Sequence, residues 1–442
     1  MKISLSDHFT VSRLLRFSLP TIIMMIFSSI YGVVDGIFVS NFVGKTPFAA
    51  INLIMPFLMI FSAIGFMIGA GGSALVAKTL GEGDKARAES LFSLMIYATV
   101  VCGAVLSVIG ELTLPAVAVL LGANEEMLPY CIQYGRILIP AFIPFMLQNT
   151  FQSFFVTAEK PKLGLAVTVM AGVTNMVLDA LFVAVFRWGL AGAAVATVIS
   201  QAVGGFVPFV YFLLPNKSLL RLTKARMDGK ALVKTCTNGS SEFLSNISMS
   251  VVNMLYNFQL MKYLGENGVA AYGVIMYVAF IFVSVFLGYA IGAAPVVGYH
   301  YGAGNRQELH GVLTRSLGIV AVIALAMTAA AEGLSGVLST VFVGQDAELC
   351  ALTRHAFTVY SLSYLLCGFN IYASSFFTAL NNGLISAVIS FLRTLIFQIA
   401  AVLLLPMFLG VEGIWWAVVF AEGASLVVSV LCLVGQRKNY GY

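Results

Sequence analysis

The feature that most constrains this chain is a series of twelve apolar segments, each long enough to cross a bilayer as a helix. Hydrophobic residues make up 60% of the sequence and charged residues only 10%, a balance outside the range of soluble proteins. The chain is therefore predicted to be an all-α integral membrane protein without a soluble domain. The predicted spans lie near residues 15–40, 48–77, 90–112, 131–156, 163–186, 190–213, 236–260, 269–298, 311–332, 356–380, 384–408 and 413–434.

The basic residues predict how these spans are oriented. If the N-terminus lies in the cytoplasm, 18 Lys and Arg residues, including Lys2, fall on the cytoplasmic side, and five, including Lys45, fall on the outer side. This bias follows the positive-inside rule and predicts that both termini are cytoplasmic. It also accounts for the net charge of +5 without a nucleic-acid partner. The first residues are too polar for a cleaved signal peptide, so we expect the first span to be retained.

The two halves of the chain repeat one another. The longest loop, from Leu214 to Lys234, separates six spans from six, so we expect an N-terminal lobe at 1–213, a cytoplasmic loop at 214–235 and a C-terminal lobe at 236–442. Identities recur through all six spans at one fixed spacing, here called the repeat offset, which indicates an internal duplication. Among the repeated positions are Gly71 and Gly292, Gly81 and Gly302, Asn149 and Asn370, Thr157 and Thr378, and Gly189 and Gly410.

The number of spans in each half predicts how the halves are arranged. Because that number is even, both halves enter the membrane in the same direction. The two lobes should then be related by a pseudo-twofold axis along the membrane normal, with a cleft between them near the midplane. This arrangement is typical of a secondary transporter.

The first span combines a proline near its start, Pro20, with a carboxylate deep in its apolar run, Asp35. A charged side chain at the bilayer centre costs roughly 2.5–3.5 kcal/mol on insertion scales, so such a residue usually faces a polar cavity. We interpret Asp35 as a group that takes up and releases a cation or a proton while this helix changes shape. The alternative is a hydrogen bond between two helices.

The fifth span adds Asn175 and Asp179, which are four residues apart and share one helix face. Two carboxylates close together in a low dielectric cannot both ionise cheaply, so we expect one of them to exchange a proton near neutral pH. The alternative for Asp179 is a hydrated position near the outer end of its span. At the repeat offset Asn175 meets Ile396 and Asp179 meets Ala400, so this chemistry is not duplicated.

Catalysis, redox chemistry and a resident metal have no support in the sequence. The four histidines lie near loops or span ends, HExxH is absent, and the six cysteines occur singly. The glycine-rich segments Gly69–Glu89 and Ile291–Leu309 lack the phosphate-binding GxxxxGK[ST] pattern, and close packing of spans followed by a helix-ending glycine explains them. We therefore expect neither an enzyme nor a bound cofactor.

Several motifs together carry a family resemblance. They are the helix with Pro20 and Asp35, the GEGDKARAE loop after the second span, Asn149 followed by TAEKPK, and NMVLD at 175–179. With the duplicated twelve-span plan, they make the chain similar over nearly its whole length to the multidrug and toxic compound extrusion (MATE) family, and most similar to its DinF-like and MepA-like branch. The resemblance implies a V-shaped antiporter of the bacterial plasma or inner membrane that exports organic cations and amphiphilic drugs by alternating access, in exchange for H⁺ or Na⁺.

The resemblance also implies which residues couple ion and drug. In the DinF-like branch the first, fourth, fifth and sixth spans carry a polar cluster, and Pro20 would be the bend point of the first span. Carried over position by position, the cluster consists of Asp35, Tyr134, Asn149, Asn175, Asp179 and Thr197.

One departure separates the chain from the similar NorM-like branch, which also has carboxylates in its C-terminal lobe. Here the tenth span has none, and the seventh offers Glu242. This residue is either a second ion or substrate group or an interfacial acid near a helix start, where a negative charge is favourable. Glu422 in the last span is interpreted as a hydrogen-bond partner within its lobe, with Arg393 as a candidate partner.

The expected cargo needs a roomy cleft lined by apolar, aromatic and methionine side chains, because broad shape tolerance excludes a tight polar site. The candidates, for each of which ordinary packing is the alternative, are Phe27, Tyr31, Met55, Phe61, Tyr256, Met276, Phe280 and Phe286. The alternative function is a lipid-linked oligosaccharide flippase of the same superfamily, for which a more cationic cavity is expected. We expect a monomer in the bilayer that acts on small molecules.

Overall fold

The computed structural model describes residues 3–442, without the side chains of Ile37, Ser40 and Lys45. Lys2 and the side chain of Lys45, both included in the charge count, therefore lie outside the described residues. Within the described part of the chain, all regular secondary structure is helical. The α-helices are α1 (Val11–Phe42), α2 (Lys45–Gly81), α3 (Lys85–Leu120), α4 (Leu128–Leu138), α5 (Phe142–Thr157), α6 (Pro161–Asp179), α7 (Gly189–Leu213), α8 (Gly229–Gly302), α9 (Arg306–Val343), α10 (Ala347–Ser361), α11 (Tyr364–Ala379), α12 (Gly383–Phe391), α13 (Phe397–Leu409) and α14 (Val411–Tyr440).

Three short segments join some of these helices into continuous spans. A 3₁₀ turn at Ile139–Ala141 links α4 to α5. The segment Ala180–Val185, which continues α6, and the segment Leu392–Ile396, which links α12 to α13, are π-helical. Both π-helical segments lie in the spans that the duplication pairs with each other, the fifth and the eleventh.

The helices account for twelve membrane spans. Ten continuous helical stretches, α8 among them, are long and apolar enough to cross a membrane, and α10 with α11 forms one more span that is bent by 46°. The helix α8 has 74 residues, about 110 Å at 1.5 Å per residue, which is far too long for one crossing. Gly265, at φ 63° and ψ −150°, divides it into two spans. The prediction of twelve spans is confirmed.

The segment between the seventh helix and the eighth is shorter than the predicted loop. It is non-helical from Leu214 to Asp228, and α8 begins at Gly229 rather than near residue 236. The helix starts earlier because the Asp228 side chain accepts a hydrogen bond from the backbone N–H of Ala231 at 3.0 Å and so caps it. Below, α1–α7 are called the first half and α8–α14 the second half.

Glycines let the two halves approach each other closely. A side chain at Gly81 would overlap the carbonyl oxygen of Tyr299, and one at Gly302 would overlap the carbonyl oxygen of Lys78. The repeat offset exchanges these two contacts, since Gly81 pairs with Gly302 and Lys78 with Tyr299. The symmetry of the contacts is the three-dimensional counterpart of the sequence duplication.

A second pair of contacts between the two halves is also related by the repeat offset. A side chain at Gly71 would overlap the carbonyl oxygen of Thr235, close to Gly239, and a Cβ at Gly292 would lie 2.7 Å from the Cβ of Ser18. Ser18 and Gly239 are again separated by the repeat offset. Small residues at these crossings allow the helix backbones to meet.

The N-terminal segment, which precedes α1, lies across one end of the helix bundle and contacts both halves. In the first half, the backbone N–H of Leu5 donates to Glu159 Oε1 at 2.9 Å. In the second half, the backbone N–H of Phe9 donates to Glu308 Oε1 at 2.9 Å, and Arg315 Nη1 donates to the carbonyl oxygen of Phe9 at 2.6 Å. The C-terminus lies there too, because Gly441 packs on the Arg306 side chain. We call this end of the bundle the terminal face.

Candidate functional site

The carboxyl groups of Asp35 and Asp179 lie side by side inside the first half. Asp35 is on α1, and Asp179 is the last residue of α6, directly before the π-helical segment Ala180–Val185. The two groups are within hydrogen-bonding reach of each other. Asp179 has no exposed surface, which rules out the alternative that it is merely hydrated. The structure thus brings together the two acids that the sequence singled out.

Within the described residues, these acids have no balancing cation, and most of their oxygens have no hydrogen-bond donor. Three of the four carboxylate oxygens, Oδ1 of Asp35 and both oxygens of Asp179, receive no hydrogen bond there. Neither residue takes part in an ion pair with a described Lys, Arg or His. Two adjacent carboxylates in a low dielectric cannot both be charged cheaply. Chemically, the pair is suited to hold a proton or a small monovalent cation.

Two tyrosines border the acid pair. Tyr134 on α4 is buried and interacts electrostatically with both carboxyl groups. Tyr31 lies one turn before Asp35 on α1, and its hydroxyl accepts a hydrogen bond from Gln148 Nε2 at 3.4 Å. The phenol oxygens add polarity on the side of the pair that faces α4 and α5.

The remaining predicted members of the cluster make no hydrogen bond to either carboxyl group in the described structure. Nδ2 of Asn149 is buried and has no acceptor among the described residues. Asn175 is buried one turn before Asp179 on α6. Thr197 Oγ1 donates to the carbonyl oxygen of Ala193 at 3.0 Å. A role for these three residues in ion binding remains a prediction.

Pro20, the predicted bend point, lies within α1, which is continuous from Val11 to Phe42. Proline removes one backbone N–H and crowds the preceding turn, so the helix is weakest near this residue. Bending at Pro20 during transport remains a prediction.

A second polar cluster lies inside the second half and differs in charge. Nε of Arg393, in the π-helical segment Leu392–Ile396, donates to both carboxylate oxygens of Glu422 on α14, at 2.9 and 3.0 Å. Asn370 Nδ2 donates to Glu422 Oε2 at 2.7 Å, and Ser429 Oγ donates to Asn370 Oδ1 at 2.8 Å. The interpretation of Glu422 as an internal hydrogen-bond partner, with Arg393 as its partner, is confirmed.

Glu242 lies close enough to this second cluster to interact with the charge of Arg393. It is located on α8, and its side chain has no hydrogen bond in the described structure, although its backbone carbonyl accepts one from Asn246 at 2.8 Å. Whether Glu242 is an ion or substrate group or an interfacial acid remains a prediction.

The predicted cleft-lining residues divide into two groups. Phe61, Tyr256 and Phe286 are buried in the hydrophobic cores of the two halves, so in this structure they pack rather than line a cleft. The other five have partly or largely exposed side chains and remain candidates: Phe27, Tyr31, Met55, Met276 and Phe280.

Sequence reasoning missed three polar residues that hold these clusters together. Asn370 and Ser429 position Glu422, and Gln148 binds Tyr31. The repeat of Asn149 at Asn370 was a signal for one of them, because an amide kept in both copies of an apolar span is unusual. For Ser429 and Gln148 the sequence contains no comparable signal.

Comparison with known proteins gives a family match over most of the chain. A family model described as MatE matches twice, over residues 20–181 and over residues 243–403. The starting points of the two matches are separated by nearly the repeat offset, so the family model follows the internal duplication. The Multidrug export protein MepA of Staphylococcus haemolyticus (strain JCSC1435) is 24% identical over 96% of this chain and 94% of that protein.

Solved structures match the fold along nearly the whole chain. A crystal structure of MATE in complex with MaL6 superposes with a TM-score of 0.93 at 21% sequence identity, covering 98% of each chain. The outward-facing conformation of a multidrug resistance MATE family transporter of the MOP superfamily gives a TM-score of 0.93 at 22% identity, covering 98% of this chain and 97% of that one. These similarities establish the fold of the twelve spans.

Proposed function

This chain belongs to the MatE family of transporters, and we propose that it exports organic cations and amphiphilic drugs across a cell membrane in exchange for H⁺ or Na⁺. The observation that carries the proposal is the close pair of the partly exposed Asp35 and the buried Asp179, which has no balancing cation among the described residues. Two adjacent acids inside a membrane span gain stability when they take up an inward-moving ion. The name of the MepA relatives supports multidrug export as the direction and the cargo.

The ion and the drug must not bind productively at the same time if export is to be coupled. We propose that occupation of the pair by an ion relieves the repulsion between Asp35 and Asp179 and lets α1 bend at Pro20. The bend would narrow the cleft beside Phe27 and Tyr31 and release the drug outward. An inward-moving cation gains about 2.3 kcal/mol per charge for each 100 mV of membrane potential, which sustains a substantial drug gradient.

The orientation and membrane of residence are part of the same proposal. We propose that the terminal face lies in the cytoplasm, because most Lys and Arg residues fall on the same side of the predicted topology as the two termini. The protein would then be a multi-pass transporter of the plasma or inner membrane. A lipid-linked oligosaccharide flippase is disfavoured, since a diphosphate headgroup calls for cationic side chains, and the charge of the deep Arg393 is balanced by Glu422.

The test is export of a fluorescent cationic dye from proteoliposomes that contain the purified full chain. A proton gradient and a sodium gradient are imposed separately, and the wild type is compared with Asp35→Asn. We expect one of the gradients to drive export by the wild type and no gradient to drive export by D35N. Glu111→Gln is the matched control, because Glu111 is also an acid of the first half but its side chain is 42% exposed and pairs with Arg136.

Two outcomes would contradict the proposal. Gradient-driven export at the wild-type rate by D35N would remove the coupling role from the acid pair. Movement of a lipid-linked sugar, with neither gradient moving the dye, would favour the flippase.

A further inference from the structure

The non-helical segment at 214–228, here called the connector, joins the two halves of the chain at the terminal face. The backbone N–H of Leu219 donates to the carbonyl oxygen of Ala158 at 3.4 Å, directly before the residue that binds the N-terminal segment, Glu159. The helices that the connector links, α7 and α8, are both long and apolar enough to cross a membrane. The connector therefore lies at the surface of the bilayer.

The connector is fastened to the first half along its length. Leu220 and Leu222 are buried in the hydrophobic core, at 0% and 8% exposure. The backbone N–H of Leu222 donates to the carbonyl oxygen of Phe212 at 2.9 Å, and that of Thr223 donates to Ser93 Oγ on α3 at 2.8 Å. Because the two leucines are buried and the backbone is bound on both sides, the exposed side chains between and after them have fixed positions.

These exposed side chains and those at the start of α8 are rich in positive charge. The stretch 214–234 contains six basic residues and one acid, Asp228, which caps α8. All six basic side chains are exposed, and none forms an ion pair with an acid in the part of the chain that the structure describes. We call them the basic surface: Lys217, Arg221, Lys224, Arg226, Lys230 and Lys234.

Apolar side chains beside the basic surface indicate which anionic partner fits it. Leu214, Met227 and Val233 are 56%, 82% and 65% exposed. A nucleic acid would leave these side chains in water, whereas the headgroup region of a bilayer accommodates basic and apolar groups together. Basic residues also orient membrane spans during insertion, but that role needs only their charge and no fixed arrangement of the side chains.

We propose that the basic surface binds the headgroups of anionic phospholipids in the leaflet next to the terminal face. Arg221 and Arg226 would donate hydrogen bonds to phosphate oxygens, and the lysines would act as point charges. The exposed apolar side chains would contact the first part of the acyl chains. Since the connector is fastened to the first half, the bound lipid belongs to that half. This interaction goes beyond the proposed export function and is independent of the coupling ion and the cargo.

The test measures lipid binding directly. The purified full chain in a neutral detergent is titrated with palmitoyl-oleoyl phosphatidylglycerol or with palmitoyl-oleoyl phosphatidylcholine, which differ only in the headgroup. Bound lipids are counted by native mass spectrometry. We expect the wild type to bind phosphatidylglycerol about tenfold to a hundredfold more tightly, since one basic residue near an anionic surface contributes about fivefold in affinity. The preference should fall as the salt concentration rises.

Three variants with matched chemistry identify the residues responsible. Arg221→Gln combined with K224Q and R226Q removes three exposed charges and leaves the buried leucines in place, so the preference for phosphatidylglycerol should fall to about threefold or less. The variant R221K/K224R/R226K keeps the charges and should keep the preference. The control removes the same number of charges from exposed residues of α1, α9 and α14: Arg16→Gln, Arg306→Gln and Lys438→Gln.

The ratio of the two lipid affinities decides the question. A fall in the first variant, with the ratio retained in the charge-preserving variant and in the control, supports the basic surface. A wild-type ratio near one, an unchanged ratio in the first variant, or an equal fall in either of the other two overturns it. Displacement of the lipid by an equal concentration of its deacylated headgroup, glycerophosphoglycerol, would also overturn it, because the ligand would then be a soluble phosphate. No ion gradient or dye enters this assay, so its result is separate from that of the export proposal.

Discussion

The two halves of this transporter have the same helices but different polar interiors. In the first half Asp35 and Asp179 face each other without a cation from the described residues. In the second half the position of Asp35 is Tyr256, whose hydroxyl donates to Gln398 at 3.0 Å, and the deep acid Glu422 is paired with Arg393. One half therefore leaves its two acids without a counter-charge from the described residues, whereas the other balances its deep acid internally.

We propose that this difference gives the two copies of a duplicated scaffold separate tasks. A site that is incomplete without a cation changes its energy each time an ion binds or leaves, which is what coupling requires. A site whose central charge is already balanced, as Glu422 is by Arg393, has no comparable need of a cation. Gly172 and Arg393, which occupy the same repeat position, are the clearest single example of how the halves diverged.

The largest expected effect tests this division directly by transport. Asp179→Asn should lower gradient-driven dye export by about a hundredfold or more, because the pair can no longer take up and release the coupling ion. R393Q/E422Q should lower the same rate by no more than about threefold, because a balanced pair contributes little to the driving force. Initial export rates from proteoliposomes, normalised to the amount of inserted protein, give the comparison. An equal loss of export rate in the two variants would show that coupling is spread over both halves.

A prediction of opposite signs concerns stability. Glu422→Gln alone leaves Arg393 buried without its counter-ion, so the free energy of unfolding should fall by about 3–5 kcal/mol. Asp179→Asn removes one of two like charges and supplies an N–H donor to Asp35. The free energy of unfolding should therefore rise by about 1 kcal/mol. Thermal unfolding in detergent measures both, with the exposed variant Glu412→Gln as control. A stabilising E422Q or a strongly destabilising D179N would reverse the assignment.

Much of the fold and the two acids could be predicted because their signals can be read from the sequence without knowing which helices pack together. Long apolar runs fix the spans, and one charge in such a run is costly enough to be noticed, as at Asp35. Repetition at one offset revealed the duplication. A capping residue moved one boundary, since Asp228 starts α8 earlier than the apolar run alone indicates.

What the sequence could not provide are contacts set by the packing of distant helices. Nothing in the residues around Phe61 or Phe286 distinguishes a cleft wall from a core, because both settings select the same apolar side chains. The hydrogen bond between Gln148 and Tyr31 joins residues 117 positions apart. The contacts of the N-terminal segment with Glu159 and Glu308 are equally invisible, since that segment has no periodic pattern.

A smaller effect is expected at the glycine contacts where the two halves meet. Gly81→Ala and Gly302→Ala each place a methyl group against a backbone carbonyl of the other half, and the two contacts are related by the duplication. Each should destabilise the packed interface by about 1–3 kcal/mol, and the two values should agree closely. Gly318→Ala is the control, since a Cβ at that position would have no atom within 4 Å. Unequal values, measured by thermal unfolding, would show that the symmetry of the interface between the two halves is only approximate.

The smallest expected effect concerns the N-terminal segment, which contacts the halves unequally. Glu308 is 7% exposed and accepts hydrogen bonds from the Phe9 backbone, from Arg315 at 3.2 Å and from His8 at 2.6 Å. Glu308→Gln keeps the size of the side chain but weakens these charge-assisted bonds, so it should cost about 1–2 kcal/mol of stability. Glu159→Gln should cost less than about 1 kcal/mol, because its side chain is less buried. Thermal unfolding of both variants gives the order, and a larger loss for E159Q would mean that the segment is fastened mainly to the first half.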